Sequence, residues 1–235
     1  MSAAPRVCDT HTDLFNFSYE LPHFAESLKK QGKINVVAIG SSSTAGEGDV
    51  VPYPARLATL LQEHFRNPMI DVLNRGIGGQ EATTELLRFQ PDVLDKEPAL
   101  VIWQVGTNAV FRHDEFDFAD VIDAIAMGLR RLAEHPIDVV IMDSQYVPAV
   151  VDGGKLKLSE ELLGMISGTA KIARVNVFRR FDLMRHWVAQ DGIPIEELVR
   201  EGDEKKLHMS DWATNCVTQA LFQSIRRVVE AAGAT

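Results

Sequence analysis

Five short runs of apolar, largely β-branched residues, each followed by a stretch with helical spacing, limit this fold more than anything else. The runs occupy residues 34–39, 69–74, 99–105, 137–142 and 175–178. They are nearly continuous rather than alternating, as expected for strands buried on both faces of a parallel sheet. Helical patterns fall at 53–65, 82–89, 118–134, 156–172, 181–189 and 211–232, with a polar loop running up to Met209 before the last. With right-handed crossovers, this alternation predicts an α/β protein, a three-layer α/β/α sandwich on a five-stranded parallel sheet. Residues 1–33, with one short helix expected at 22–30, read as an N-terminal arm packed on a single domain spanning 34–235.

A chain of 235 residues is long enough for one large core. Its net charge of −9 argues against nucleic acid, because phosphate-backbone binding needs a basic surface. No apolar run approaches the roughly 20 residues of a transmembrane segment. The start, Met1 to Pro5, shows no charged-then-apolar secretion signal. Nothing in the pattern sets an oligomeric state.

Two cysteines, Cys8 and Cys216, stand near opposite ends. They are either two buried thiols or a bridge from the arm to the last helix. The bridge would favour a periplasmic or exported domain, and free thiols a cytoplasmic one.

In a parallel sheet the loops at the strands' carboxyl ends gather on one rim, where such folds hold ligands. That brings together Ser41 to Ser43, Gly76 to Gln80, Gly106 to Asn108 and Asp143 to Tyr146, with the loop carrying His208 within reach. The first loop lacks the Gly-Lys-Ser/Thr ending of a P-loop and the Gly-x-Gly-x-x-Gly spacing of a dinucleotide site. The Gly-x-Ser-x-Gly elbow is missing too, since Ser42 has Thr44 two residues after it. No group of His, Cys and Asp has zinc-ligand spacing along the chain.

Four blocks carry a family resemblance. They are Gly40-Ser-Ser-Ser-Thr-Ala-Gly46, Asn74-Arg-Gly-Ile-Gly-Gly79, Gly106-Thr-Asn-Ala109 and Asp203-Glu-Lys-Lys-Leu-His208. Together, in this order and at strand ends, they resemble the SGNH hydrolases, also called the GDSL esterase/lipase superfamily. The resemblance implies a flavodoxin-like topology and a serine hydrolase acting on a carboxylic ester. The substrate expected is a small-molecule or saccharide ester with a small acyl group, and no metal or organic cofactor is implied.

Ser42 falls at the family's nucleophile and His208 at its base. The Ser42 amide, the Gly79 amide and the Asn108 side chain fall at its oxyanion hole. Ser41 replaces the aspartate before the nucleophile, and Ala109 the aspartate after the third-block asparagine. The position three before His208 is Lys205, so the triad acid is expected at Asp203, five before it, with Glu204, Asp211 or a backbone carbonyl as alternatives. Gln145 and Tyr146, after the fourth strand, are candidates for the substrate rim. An O-acyltransferase on a saccharide, or a non-catalytic binding domain of the same fold, are the rival readings.

Overall fold

A computed structural model describes residues 7–30 and 32–233. The first six residues of the expected arm, with the Met1 to Pro5 start that shows no secretion signal in sequence, lie outside the described residues. The strands are β1 (Ile34–Gly40), β2 (Ile70–Gly76), β3 (Leu100–Gln104), β4 (Asp138–Met142) and β5 (Asn176–Phe178). All pair in parallel in the order β2-β1-β3-β4-β5, a flavodoxin-like sheet as expected.

Helices α1 (Pro22–Lys29), α2 (Ser42–Ala45), α3 (Tyr53–Phe65), α4 (Ala82–Leu87) and α5 (Phe89–Asp92) accompany the first half of the sheet. They are followed by α6 (Thr107–Phe111), α7 (Phe118–Leu132), α8 (Pro148–Val151), α9 (Lys155–Ala173), α10 (Arg180–Ala189) and α11 (Asp211–Ala231). Every residue of β3 and β4 is buried. Burial on both faces is what their unbroken apolar sequence requires, since no face of either strand is left for water.

The second strand runs two residues beyond the expected 69–74, through Arg75 to Gly76, which pairs with Gly40. A side chain at Gly76 would lie 2.1 Å from the Ala45 backbone nitrogen, so only glycine lets α2 pack so close to β2. The helix expected at 82–89 breaks into α4 and α5 at Arg88, whose φ of −105° leaves the helical region ahead of Pro91.

The N-terminal segment does more than cover the domain. Leu21, Phe24 and Ala25 are core residues, and the buried Asp138 carboxylate accepts the Phe24 N–H at 2.8 Å. Farther up, Asn176 Oδ1 accepts from the Ser18 and Tyr19 amides, both at 2.9 Å. Cys8 is joined to Cys216 in α11, their Cα atoms 5.5 Å apart, within disulfide range. No helix among the described residues is long and apolar enough to cross a membrane.

Candidate active site

The site begins where β1 ends. Ser41 is extended (φ −93°, ψ −151°) and the chain enters α2 at Ser42. Gln104, the last residue of β3, lies alongside and is buried. Its Oε1 accepts from the Ser41 N–H at 3.0 Å and from the Ser41 hydroxyl at 2.9 Å. Serine in place of the family's aspartate thus donates to a side chain of the neighbouring strand. Asn74 ties the second block to the first, donating from Nδ2 to the Ala45 carbonyl at 3.2 Å while its Oδ1 accepts from Gly76 at 2.9 Å. The Ser42 amide opens the helix, where backbone N–H groups have no acceptor within it.

The opposite side comes from residues 199–209. Val199 and Met209 form an antiparallel bridge, and Arg200 donates to the His208 carbonyl at 2.8 Å. His208 Nε2 lies 3.2 Å from Ser42 Oγ, across 166 residues of chain. His208 Nδ1 lies 3.2 Å from Asp203 Oδ2. That approach is not well aligned for a hydrogen bond, and Nδ1 has no other acceptor.

Two residues more than the family spacing fit because the chain turns between Asp203 and Lys206. Lys206 N donates to the Asp203 carbonyl at 2.9 Å, and Lys206 is left-handed at φ 50°. Asp203 Oδ2 also accepts the Leu207 and His208 amides at 2.8 and 2.7 Å. Burial pushes this carboxyl up, but the two amides and the imidazole outweigh it and hold it below the usual carboxylate range. The other acids considered are elsewhere: Asp211 pairs with Arg56, and Glu204 is exposed on the outer side of the loop.

Asn108 is buried at the start of α6, and its Nδ2 donates to the Gln80 carbonyl at 2.8 Å. A carboxamide nitrogen carries two hydrogens, so one stays available. Gly79, exposed at φ 77°, occupies a turn a side chain would strain. Its carbonyl accepts from Arg112. Next to it, Gly78 faces Ser42: a Cβ there would lie 3.8 Å from the serine Cβ.

Three features escape a sequence reading. Glu81, fully buried, accepts the Ala82, Gly106 and Ala109 amides at 3.1, 2.8 and 3.0 Å, tying the second block to the third. Glu85, one turn on, accepts the Trp103 indole N–H at 2.7 Å. Burial raises both carboxyls, less so for Glu81, whose amide donors oppose it, and Glu85 is raised further by the Glu81 charge beside it. Only the adjacency of Glu81 to the second block hinted at either. The third feature is Glu47, whose carboxylate stands 3.7 Å from His208 Nε2 at the cleft mouth.

Gln145 is not on a substrate rim. It is fully buried, with Oε1 accepting from Ser43 Oγ at 2.8 Å and Nε2 donating to the Leu207 carbonyl at 2.5 Å. The loop carrying it turns inward because those two partners satisfy its amide. Tyr146 is half-buried, its ring edge-on to Phe181 at 5.1 Å between centroids. Below, burial pushes Asp143 up to about 7 and Arg180 down to about 10, Arg180 donating to the Asp143 carbonyl at 3.0 Å.

The cleft bounded by Ser42, Glu47, Val50, His208 and Thr214 holds about 20 Å³, room for roughly one water. A larger cavity of about 480 Å³ opens on the outer side of the closing loop, against Pro148, Arg200 and Asp203. Ser42 is not among the residues that line it. The arrangement can activate a hydroxyl: an imidazole in contact with it, backed by a carboxylate, accepts its proton as it attacks an electrophile.

Known proteins frame this geometry. Over 80 residues the chain is 40% identical to an uncharacterized lipoprotein, YqeF, of Bacillus subtilis, a match covering about a third of each protein. In fold it is similar to an acetylxylan esterase from Geobacillus stearothermophilus (TM-score 0.70, 15% identity, 82% of this chain and 94% of that one). It also resembles LAE5, an alpha/beta hydrolase enzyme from the metagenome of Lake Arreo (TM-score 0.69, 16% identity, 83% and 96%). A lipolytic protein of the G-D-S-L family from Desulfitobacterium hafniense matches at TM-score 0.63 and 22% identity, over 81% and 98%. Residues 7–231 match the non-GDSL lipase-like family, a name that suits a first corner reading Gly-Ser-Ser, and the chain belongs to that family with the fold of the SGNH-type hydrolases.

Proposed function

We propose that the protein hydrolyses carboxylic esters of small acyl groups through an acyl-enzyme on Ser42. The observation that carries this reading is the continuous contact from Ser42 Oγ to His208 Nε2 and from His208 Nδ1 to Asp203, each 3.2 Å. His208 takes the hydroxyl proton as Oγ attacks the ester carbonyl. The ionised Asp203 faces Nδ1 and stabilises the imidazolium that forms. Negative charge on the former carbonyl oxygen is met by the Ser42 amide, the Gly79 amide and the free hydrogen of Asn108 Nδ2. The protonated imidazole then gives its proton to the leaving alcohol. Water, deprotonated by the same ring, attacks the acyl-serine and releases the acid. No step calls on a metal or organic cofactor.

The small cleft leaves no space for a long acyl chain, which supports a small acyl group, and Glu47 at its mouth disfavours anionic ones. A saccharide acetyl ester fits both conditions, in keeping with the acetylxylan esterase of the same fold. The Asp203 carboxylate 3.2 Å from His208 Nδ1 supports the catalytic reading over a non-catalytic one despite the lysine at position 205. The Cys8–Cys216 link, with a lipoprotein among the relatives, supports action outside the cytoplasm.

A p-nitrophenyl ester series tests the reading. Acetate should give the highest kcat/KM, with a fall of at least about tenfold by hexanoate, because the added methylenes have no pocket. Ser42→Ala and His208→Ala should each lower kcat by about 10⁴-fold or more with Tm unchanged. Full acetate turnover in Ser42→Ala would overturn it.

A further inference from the structure

On the face where the N-terminal segment meets α10, three side chains converge that the hydrolytic chemistry does not use. They are His11, His186 in the last turn of α10, and Asp191 just beyond it. His11 Nε2 is 2.8 Å from Asp191 Oδ2, and His186 Nε2 is 3.9 Å from Asp191 Oδ1. The two imidazoles stack at 4.3 Å between centroids, and one ligand atom from each of the three residues lies within 4.8 Å of the others. The geometry points to a binding site for one divalent transition-metal ion of the zinc class, clamping the N-terminal segment to the body.

The donor set decides the class of ion. Two imidazole nitrogens and one carboxylate suit Zn²⁺, Co²⁺ or Ni²⁺, whereas Ca²⁺ and Mg²⁺ demand oxygen. Metal–ligand bonds near 2.0–2.2 Å require rotations of these partly exposed side chains to draw the ligand atoms together. Water completes the fourth position.

Three features surround the ligands as a metal would use them. Asp9 Oδ1 lies 3.6 Å from His11 Nδ1, the ring nitrogen left over when Nε2 binds, where a carboxylate orients a ligating histidine. Asp191 follows the C-terminus of α10, the end of a helix that carries partial negative charge and that a cation complements. His11 is held left-handed at φ 41°, a conformation costly for a non-glycine residue.

The rest of the segment is already fastened nearby. Trp187 Nε1 donates to the Asp9 carbonyl at 2.8 Å, and Cys8 is joined to α11. The ligands come from positions 11, 186 and 191, so no zinc spacing shows along the chain and only the fold assembles the set. The ion is a cross-link and takes no part in ester hydrolysis, so Ser42→Ala should bind it unchanged.

Titration of the full, disulfide-intact chain with Co²⁺, followed by visible absorption, tests the site. One Co²⁺ per chain should bind with four-coordinate bands, and Zn²⁺ should displace it. Zn²⁺ at about 100 times its Kd should raise Tm by roughly 5 °C. Asp191→Asn, an isosteric change on an accessible side chain, and His186→Ala should each weaken binding at least about 100-fold. Asp9→Asn should weaken it about tenfold. His113→Ala, outside the cluster, should leave it unchanged. Absence of saturable one-to-one binding by the wild type at millimolar metal would overturn the proposal. So would an undiminished affinity in Asp191→Asn.

Discussion

The corner that presents Ser42 and the loop that presents His208 meet in one contact, yet they are built on different principles. The corner is an extension of the sheet: β1, β2 and β3 reach it through Gly40, Asn74, Gly76 and Gln104, and its polar groups bond one another out of water. The loop hangs outside the sheet. One bridge, Val199 with Met209, closes it, and its outer residues 201, 202, 204, 205 and 206 are exposed. Its inward side rests on Gln145, through Leu207, and on the Ala149 amide, which donates to Lys206 at 3.2 Å. Damage to the corner should therefore appear as lost stability together with lost activity, and damage to the loop chiefly as lost activity.

Asp203→Asn strikes the loop hardest. It should lower kcat by about 10³- to 10⁴-fold, because an amide leaves the imidazole uncompensated while keeping the loop's shape. Its stability effect has a definite sign. A carboxyl held below its ordinary range contributes above that ordinary value, and the contribution disappears as pH falls through the lower folded value. Melting curves of wild type and variant should thus differ at neutral pH and converge in acid.

Asn108→Ala tests a donor held by the sheet side. A fall of about 10²- to 10³-fold in kcat with KM nearly constant is expected from steady-state kinetics. An equal rise in KM would place Asn108 in ground-state binding instead.

The two glutamines compare the regions directly. Gln104→Leu strips the Ser41 amide and hydroxyl of their acceptor, both buried, and should cost about 2–3 kcal/mol in urea unfolding besides lowering activity. Gln145→Leu frees the loop from its strut. It should lower kcat about tenfold while costing about 1 kcal/mol, since misplacement of the imidazole matters more than the lost bonds. Equal stability losses in the two variants would mean that corner and loop are held alike.

How much of this could be read from the chain follows the same division. The strands and the larger helices announced themselves, because periodicity over many residues is a repeated signal. The corner was readable as a dense cluster of small residues at one strand end. Helices of four or five residues, α2, α6 and α8, are too short to show a period, and the break at Arg88 between α4 and α5 is a matter of one backbone angle. Single buried polar residues leave no pattern at all. Gln145 looked like a rim residue because polar residues after a strand usually face water, whereas here both ends of its amide find partners inside. Glu81 and Glu85 gave only a helix start, and their partners, the Gly106 and Ala109 amides and the Trp103 indole, come from a distant part of the chain.

The smallest expected effect belongs to that pair. Burial raises Glu85 well above the usual carboxylate value, so its contribution to stability is fullest below that value and is lost as pH rises through the folded one. Glu85→Gln keeps an acceptor for the Trp103 indole and cannot ionise. Its Tm should match the wild type in mild acid and exceed it by a few degrees as the solution becomes alkaline.

The meeting of corner and loop is tested most directly by intact-mass spectrometry after treatment with a fluorophosphonate, a reagent that modifies only a serine activated by its neighbours. One adduct is expected on the wild type, mapped by peptide sequencing to Ser42, lost in Ser42→Ala and strongly slowed in His208→Ala. A folded wild-type protein that takes up no adduct, or takes it up on another serine, would contradict the account.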